Sequence, residues 1–310
     1  GEVIMPSFSY RGLPHFAIWA GLIPHFCDVD PVSHFLDPVQ VEKCINSNTK
    51  IILGVCNFNN PGDIDGITEV ACTFKLPLIL DSVYAIGSTY KGKILGAFSN
   101  AEIYSLHATK LLNGFEGGYI TTNDDELAAK LSWQRNFTLP ALKPNQTTTN
   151  SILGVNAKLN EMHAAMAICS MNDIDVIIKR NKERFLVYKE MLNGTSGLRI
   201  LEYASGELSN YQMVVAEVLD EWPISRDQTV EILRSEGAHI TAYYSPPLHL
   251  SENAVPGSKA GDLTISENLS KRFFQLPVGE LMSLEDIEKL CEFLSDIQTF
   301  PNKINKQLLK

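Results

Sequence analysis

Positive charge is what this sequence is short of. Lysine and arginine total 26 against 36 acidic residues, a formal net charge of −10. A surface that grips a nucleic-acid backbone needs clustered cations, so that function class is disfavoured. A pocket for a small anion remains open, because it takes only a few local donors. Cysteine is sparse as well. Cys27, Cys44, Cys56, Cys72, Cys169 and Cys291 are scattered, with no C-x-x-C pair and no zinc-ligand spacing beside a histidine. They read as reduced thiols, with no metal expected. No apolar run reaches the roughly 18 residues of a membrane helix, and no secretory signal opens the chain. The expectation is a cytoplasmic protein away from membranes. Internal repeats and low-complexity segments are also lacking.

What is present is a chain of 310 residues, 45% apolar and 20% charged. That is ordinary for a globular protein and long enough for one large domain plus a smaller one. In the first half, short apolar runs alternate with helical stretches. VIMP, IPHFCDVD, KIILGVCNF, LPLILDSV, AEIYSLHA and GGYITTND read as strands. GLPHFAIWAG, PVQVEKCINSNTK, DIDGITEVACTFK and DDELAAKLSWQRNF read as helices. That alternation predicts an α/β domain with a mostly parallel sheet. The stretch 138–160 is rich in Pro, Asn and Thr and predicts a long loop. One long helix is predicted from about Asn160 to Leu192, and YQMVVAEVL, HITAYYSP and two further helices predict a smaller α+β unit. The expected division is 1–165 and 166–310.

Two stretches carry candidate chemistry. LILDSV ends a buried strand on Asp81, at the carboxyl edge where α/β sheets bind ligands; an N-cap is the equally weighted alternative. YSLHATKLLNGFEGGY places Lys110 just past a second strand, followed by Gly114, Gly117 and Gly118, where backbone can approach closely. If the strands are near neighbours, an amine and a carboxylate meet at one crevice. That pair suits pyridoxal phosphate, which needs a lysine for its Schiff base and an acid at its pyridine nitrogen. Ser105, on the lysine's own strand, offers a hydroxyl for the phosphate.

The lysine segment, S-L-H-A-T-K followed by G-F-E-G-G-Y, resembles that of the DegT/DnrJ/EryC1/StrS family of pyridoxal-phosphate sugar aminotransferases. Co-linear likenesses run along nearly the whole chain: GEVIMPSFSY, FNNPGDIDGI, LDSVYAIGSTYKGKILGAF, LGVNAKLNEMHAAMA, YYSPPLH and LPVGELMSLEDIEKLCEFL. The resemblance implies fold type I and transfer of an amino group, from glutamate, to a keto group of a nucleotide-linked deoxysugar. It implies that Lys110 holds the cofactor and shuttles protons, and that Asp81 faces the pyridinium. Ser105 would bind phosphate, Tyr10 would lie over the ring, and Asn156 would reach the phosphate of a neighbouring subunit in a homodimer with shared sites. Lys158 and His249 would approach substrate, each with a bland alternative as a surface lysine or a packed loop histidine.

Two features depart from the family pattern. Tyr84 stands where the family has Gln or His, near the cofactor's phenolic oxygen. The family's N-terminal segment, roughly 50 residues with a phosphate-binding helix start, is missing before GEVIMP. The alternative is therefore a non-catalytic or truncated cofactor-binding relative.

Overall fold

The computed structural model describes residues 1–139, 153–251 and 258–301. The first half runs β1 (Glu2–Pro6), α1 (Leu13–Trp19), β2 (Ile23–Cys27), α2 (Pro38–Cys44), β3 (Thr49–Val55), α3 (Ile64–Thr73) and β4 (Leu78–Asp81). A small hairpin, β5 (Thr89–Tyr90) and β6 (Lys93–Ile94), precedes β7 (Ala101–Ser105), β8 (Gly118–Thr121) and α4 (Asp125–Gln134). Then come α5 (Glu161–Asn172), α6 (Ile174–Met191), β9 (Leu198–Ile200), β10 (Val214–Val218), α7 (Arg226–Ser235) and β11 (Thr241–Tyr243). The chain closes with β12 (Lys259–Ala260), α8 (Thr264–Leu269), β13 (Phe273–Leu276) and α9 (Leu284–Thr299).

A seven-stranded sheet has the order β12-β2-β1-β3-β4-β7-β8. Its neighbours are parallel except β8, which pairs antiparallel with β7. The central strands are apolar throughout because helices cover both faces: Ile4, Ile52 and Leu80 are fully buried. A second, antiparallel sheet has the order β11-β13-β10-β9. It packs on α6, α7 and α9 through Tyr188, Val214, Leu233, Phe274, Ile287 and Leu294. Phe8, Val29 and Phe58 from the first half pack with Met213, Tyr244 and Phe273 from the second, joining the two sheets. This is the mixed, mostly parallel α/β architecture of fold type I.

The helices start where their polar caps sit. Asp37, Asp63, Asp124 and Asn160 each accept a backbone N–H of the first turn, and Ser225 and Ser283 form capping boxes. One expectation is corrected. The single helix from about Asn160 to Leu192 is two helices, α5 and α6, broken at Asp173. Asn172 and Asp173 are poor helix formers, and the Asp173 N–H turns back tightly onto the Ser170 carbonyl at 3.2 Å. Residues 140–152 of the expected long loop lie outside the described residues.

Candidate active site

β4 and β7 are adjacent and parallel, with Asp81 opposite Ile103. Their carboxyl ends therefore open at the same edge. Beyond Ser105 the chain turns sharply: the His107 N–H donates to Ser105 Oγ at 3.2 Å and the Lys110 N–H to the His107 carbonyl at 2.8 Å. Leu106 N donates to the Gly117 carbonyl and Gly114 N to the Leu106 carbonyl, folding the glycine segment back on the strand. Gly117 has φ +120°, where a side chain is strained, and a Cβ there would lie 2.5 Å from Leu159 Cδ1 and displace it.

Lys110 is half-buried, with Nζ 3.9 Å from the centre of the Tyr84 ring. Burial lowers its pKa, while the nearby Asp81 and Tyr10 charges oppose that. Asp81 is pushed up to about 6, again chiefly by burial, against the Val83 N–H that it accepts at 3.1 Å and the pull of Lys110. An amine and a carboxyl thus sit close together, each pushed towards its neutral form.

The second sheet completes the surroundings. A cleft of about 850 Å³ borders Lys110, Tyr84, Gln212, Tyr243, Arg180 and Ser170. Asn210 Nδ2 donates to the carbonyls of Tyr84 and Ile86, both at 2.8 Å, and Gln212 Nε2 donates to the Thr109 carbonyl at 3.3 Å. The hydroxyls of Tyr243 and Tyr84 share a hydrogen bond. Gln212 Oε1 is buried with no partner among the described residues. Sequence reasoning singled out none of Asn210, Gln212 and Tyr243. The one signal on offer was a pair of amides just before an apolar strand.

The other expected site residues fall in three places. Tyr10, in the β1–α1 connection, is 51% exposed and close enough to act on Lys110 electrostatically. Asn156 and Lys158 lie together, Lys158 Nζ bonding the side chains of Asn156 and Asn136. Among the described residues Lys158 borders a different cleft, with Tyr119, Arg135 and His163, and neither residue lines that of Lys110. His249 has both ring nitrogens engaged, Nδ1 with Ser7 Oγ at 2.7 Å and Nε2 with Glu267 at 3.2 Å. His163 packs edge-on against Phe115, and His107 Nδ1 contacts Thr109 Oγ1.

The sequence profile of the DegT/DnrJ/EryC1/StrS aminotransferase family matches residues 1–295. The chain belongs to that family. Its members are pyridoxal-phosphate-dependent sugar aminotransferases. The chain is 31% identical over 298 residues to a pleiotropic regulatory protein of Geobacillus stearothermophilus, covering 94% of this chain and 78% of that one. It is 25% identical over 298 residues to dTDP-4-amino-4,6-dideoxy-D-glucose transaminase of Shigella dysenteriae, covering 96% and 80%. Among solved structures, DesI in the presence of its TDP-sugar product superposes with a TM-score of 0.92 at 34% identity, covering all of this chain and 78% of DesI.

The residues present fit the cofactor. Lys110 would supply the amine for its aldehyde, and Ser105 would offer a hydroxyl to its phosphate. Asp81 is a carboxyl whose burial leaves it short of a cation, as an acid awaiting a protonated ring nitrogen should be.

Proposed function

We propose that this chain transfers an amino group from glutamate to the keto carbon of a nucleotide-linked deoxysugar. The observation that carries this reading is the meeting of Lys110 and Asp81 at one sheet edge, beside a cleft of about 850 Å³. Pyridoxal phosphate, when bound, supplies the sink for the electron pair left when a C–H proton is removed. Lys110 would hold it and would then serve as the base. Nζ would take the proton from the carbon bearing the donor's nitrogen and would return it on the far side of that nitrogen. Burial, by lowering the basicity of Nζ, keeps more of it neutral near working pH. Asp81 would keep the ring nitrogen protonated, an ion pair that burial strengthens.

In the same reading Ser105 binds the phosphate, Tyr10 lies on the ring face and Tyr84 stands by the phenolic oxygen. Asn156, away from Lys110 in its own chain, reaches the phosphate of a second copy, which makes the enzyme a homodimer. Lys158 and His249 meet the nucleotide sugar. Residues 1–165 form the cofactor unit and 166–310 the smaller one, and the protein works in the cytoplasm. The relatives' names, a dTDP-sugar transaminase and DesI with its TDP-sugar product, support a nucleotide-linked substrate.

The test is a single-turnover assay of the full chain with pyridoxal phosphate and glutamate. Stoichiometric release of 2-oxoglutarate, followed by amination of a nucleotide-linked keto sugar, is the expected result. Tight cofactor binding without any 2-oxoglutarate would return the non-catalytic reading.

A further inference from the structure

The charge of Asp81 is not all that Lys110 meets. Its Nζ stands 3.9 Å from the centre of the Tyr84 ring. An aromatic face carries negative quadrupolar charge, so at that distance it attracts an ammonium and stabilises it. Tyr84 is held at its backbone and at its hydroxyl from the second half of the chain. The Asn210 amide donates to the Tyr84 carbonyl at 2.8 Å, and Asn210 is completely buried. At the far end of the ring the hydroxyls of Tyr84 and Tyr243 share a hydrogen bond. The two contacts each span more than 120 residues of chain and converge on one residue.

We propose that Tyr84 is a positioning residue, its ring face the resting place of the Lys110 ammonium and its own position set by Tyr243 and Asn210. The inference rests on Lys110 being the reactive amine of the proposed function. It goes further by giving Tyr84 a duty towards the lysine itself, and by making the second sheet part of the machinery that places it.

The physical consequence has a definite sign. Burial disfavours the ammonium. Asp81 at the end of β4 and the Tyr10 phenol favour it. Tyr243 faces the same cleft, and Asp173, Arg180, Cys169 and Glu280 border it from α5, α6 and the segment after β13. The Tyr84 face adds to the favourable side. Removing the π face while leaving the other groups lowers the pKa of Lys110 and raises its neutral, nucleophilic fraction at neutral pH. A desolvated cation–π contact corresponds to roughly a tenfold change in that fraction. Loss of the ring also frees Nζ to wander, so the amine becomes more reactive in general and less well placed for its one partner.

The experiment is competitive labelling of the full chain, freed of cofactor, with trace acetic anhydride across pH 6–11, with peptide mapping of each lysine. Tyr84→Leu is expected to move the Lys110 reactivity profile to lower pH, with roughly tenfold faster labelling at pH 7. Lys91 and Lys289, both exposed, should be unchanged and serve as internal standards. Tyr84→Met, which fills similar space without a π face, carries the same expectation whatever the fate of Tyr84→Leu. Tyr84→Phe keeps the face but loses the hydroxyl contact with Tyr243, as Tyr243→Phe does, and both should fall between the native chain and Tyr84→Leu. A Lys110 profile unmoved in both Tyr84→Leu and Tyr84→Met overturns the inference. So does a Tyr84→Phe profile that matches Tyr84→Leu, because the hydroxyl and not the ring would then matter. Borohydride fixing of pyridoxal phosphate on the native chain is run alongside. Label absent from Lys110 there removes the functional reading, whereas the pH profiles speak to Tyr84 alone.

Discussion

Asp81→Asn should make the cofactor-free protein more stable at neutral pH while abolishing its chemistry. Burial raises the Asp81 pKa from 3.8 in the unfolded chain to about 6 in the folded one. The native state therefore binds the proton more tightly than the unfolded state does, and stability is lost as pH rises through the folded value. A rise of this size corresponds to about 3 kcal/mol of destabilisation above pH 7, and none below pH 4. The figure already contains the offsetting pull of Lys110 and the Val83 N–H, which an asparagine oxygen can still accept. Asparagine carries no charge, so the variant escapes the penalty. Urea midpoints of both proteins at half-unit steps from pH 4 to 8 provide the assay. The curves should meet near pH 4 and separate by up to about 3 kcal/mol at pH 8, with the variant the more stable. Amino transfer should fall by about two orders of magnitude or more, since a neutral amide cannot hold a ring nitrogen protonated. A variant less stable than the native chain at pH 8 would refute the reasoning. Such an exchange of stability for function is what a buried acid built for a ligand implies.

Other expectations follow from single contacts. His34, 3% exposed among Phe8, Phe58 and Phe273, is pushed down to about 4 by burial. Its stability contribution is full above pH 6.5 and lost as pH falls through 4, so His34→Gln should flatten the acid limb of a urea-midpoint profile. Asn210→Ala leaves the Tyr84 and Ile86 carbonyls and the Gln212 N–H without their partner. It should cost about 2–4 kcal/mol by chemical denaturation and slow amino transfer besides. Phe8→Ala, at the joint between the sheets, should cost about 3–5 kcal/mol and lower the thermal midpoint. A cost under 1 kcal/mol would mean that the joint is not the shared core described here.

What was legible in the sequence was local or periodic. The strands ending on Asp81 and Ser105 stood out because parallel strands covered on both faces are continuous apolar runs, and their carboxyl ends are where ligands sit. The break at Asp173 was hidden by helical periodicity on either side, since a single tight turn changes the axis without changing the pattern. The β5–β6 hairpin and β12 are two residues each, too short for any alternation to show. The second sheet's hold on the site was illegible for a different reason. Asn210 meets Tyr84 across 126 residues, and nothing in either local stretch names the other. The grouping of Asn156 and Lys158 with Asn136, away from Lys110, likewise depends on where the chain comes to rest and not on spacing.

In the proposed function everything turns on Lys110 being the residue that takes the cofactor. The most direct measurement is borohydride reduction of the full chain in pyridoxal phosphate, followed by digestion and mass mapping. The account predicts a stoichiometric label on Lys110, loss of the visible absorbance on reduction, and neither in Lys110→Ala. No label, or label spread over exposed lysines such as Lys91 and Lys289 with Lys110 unmodified, would contradict it.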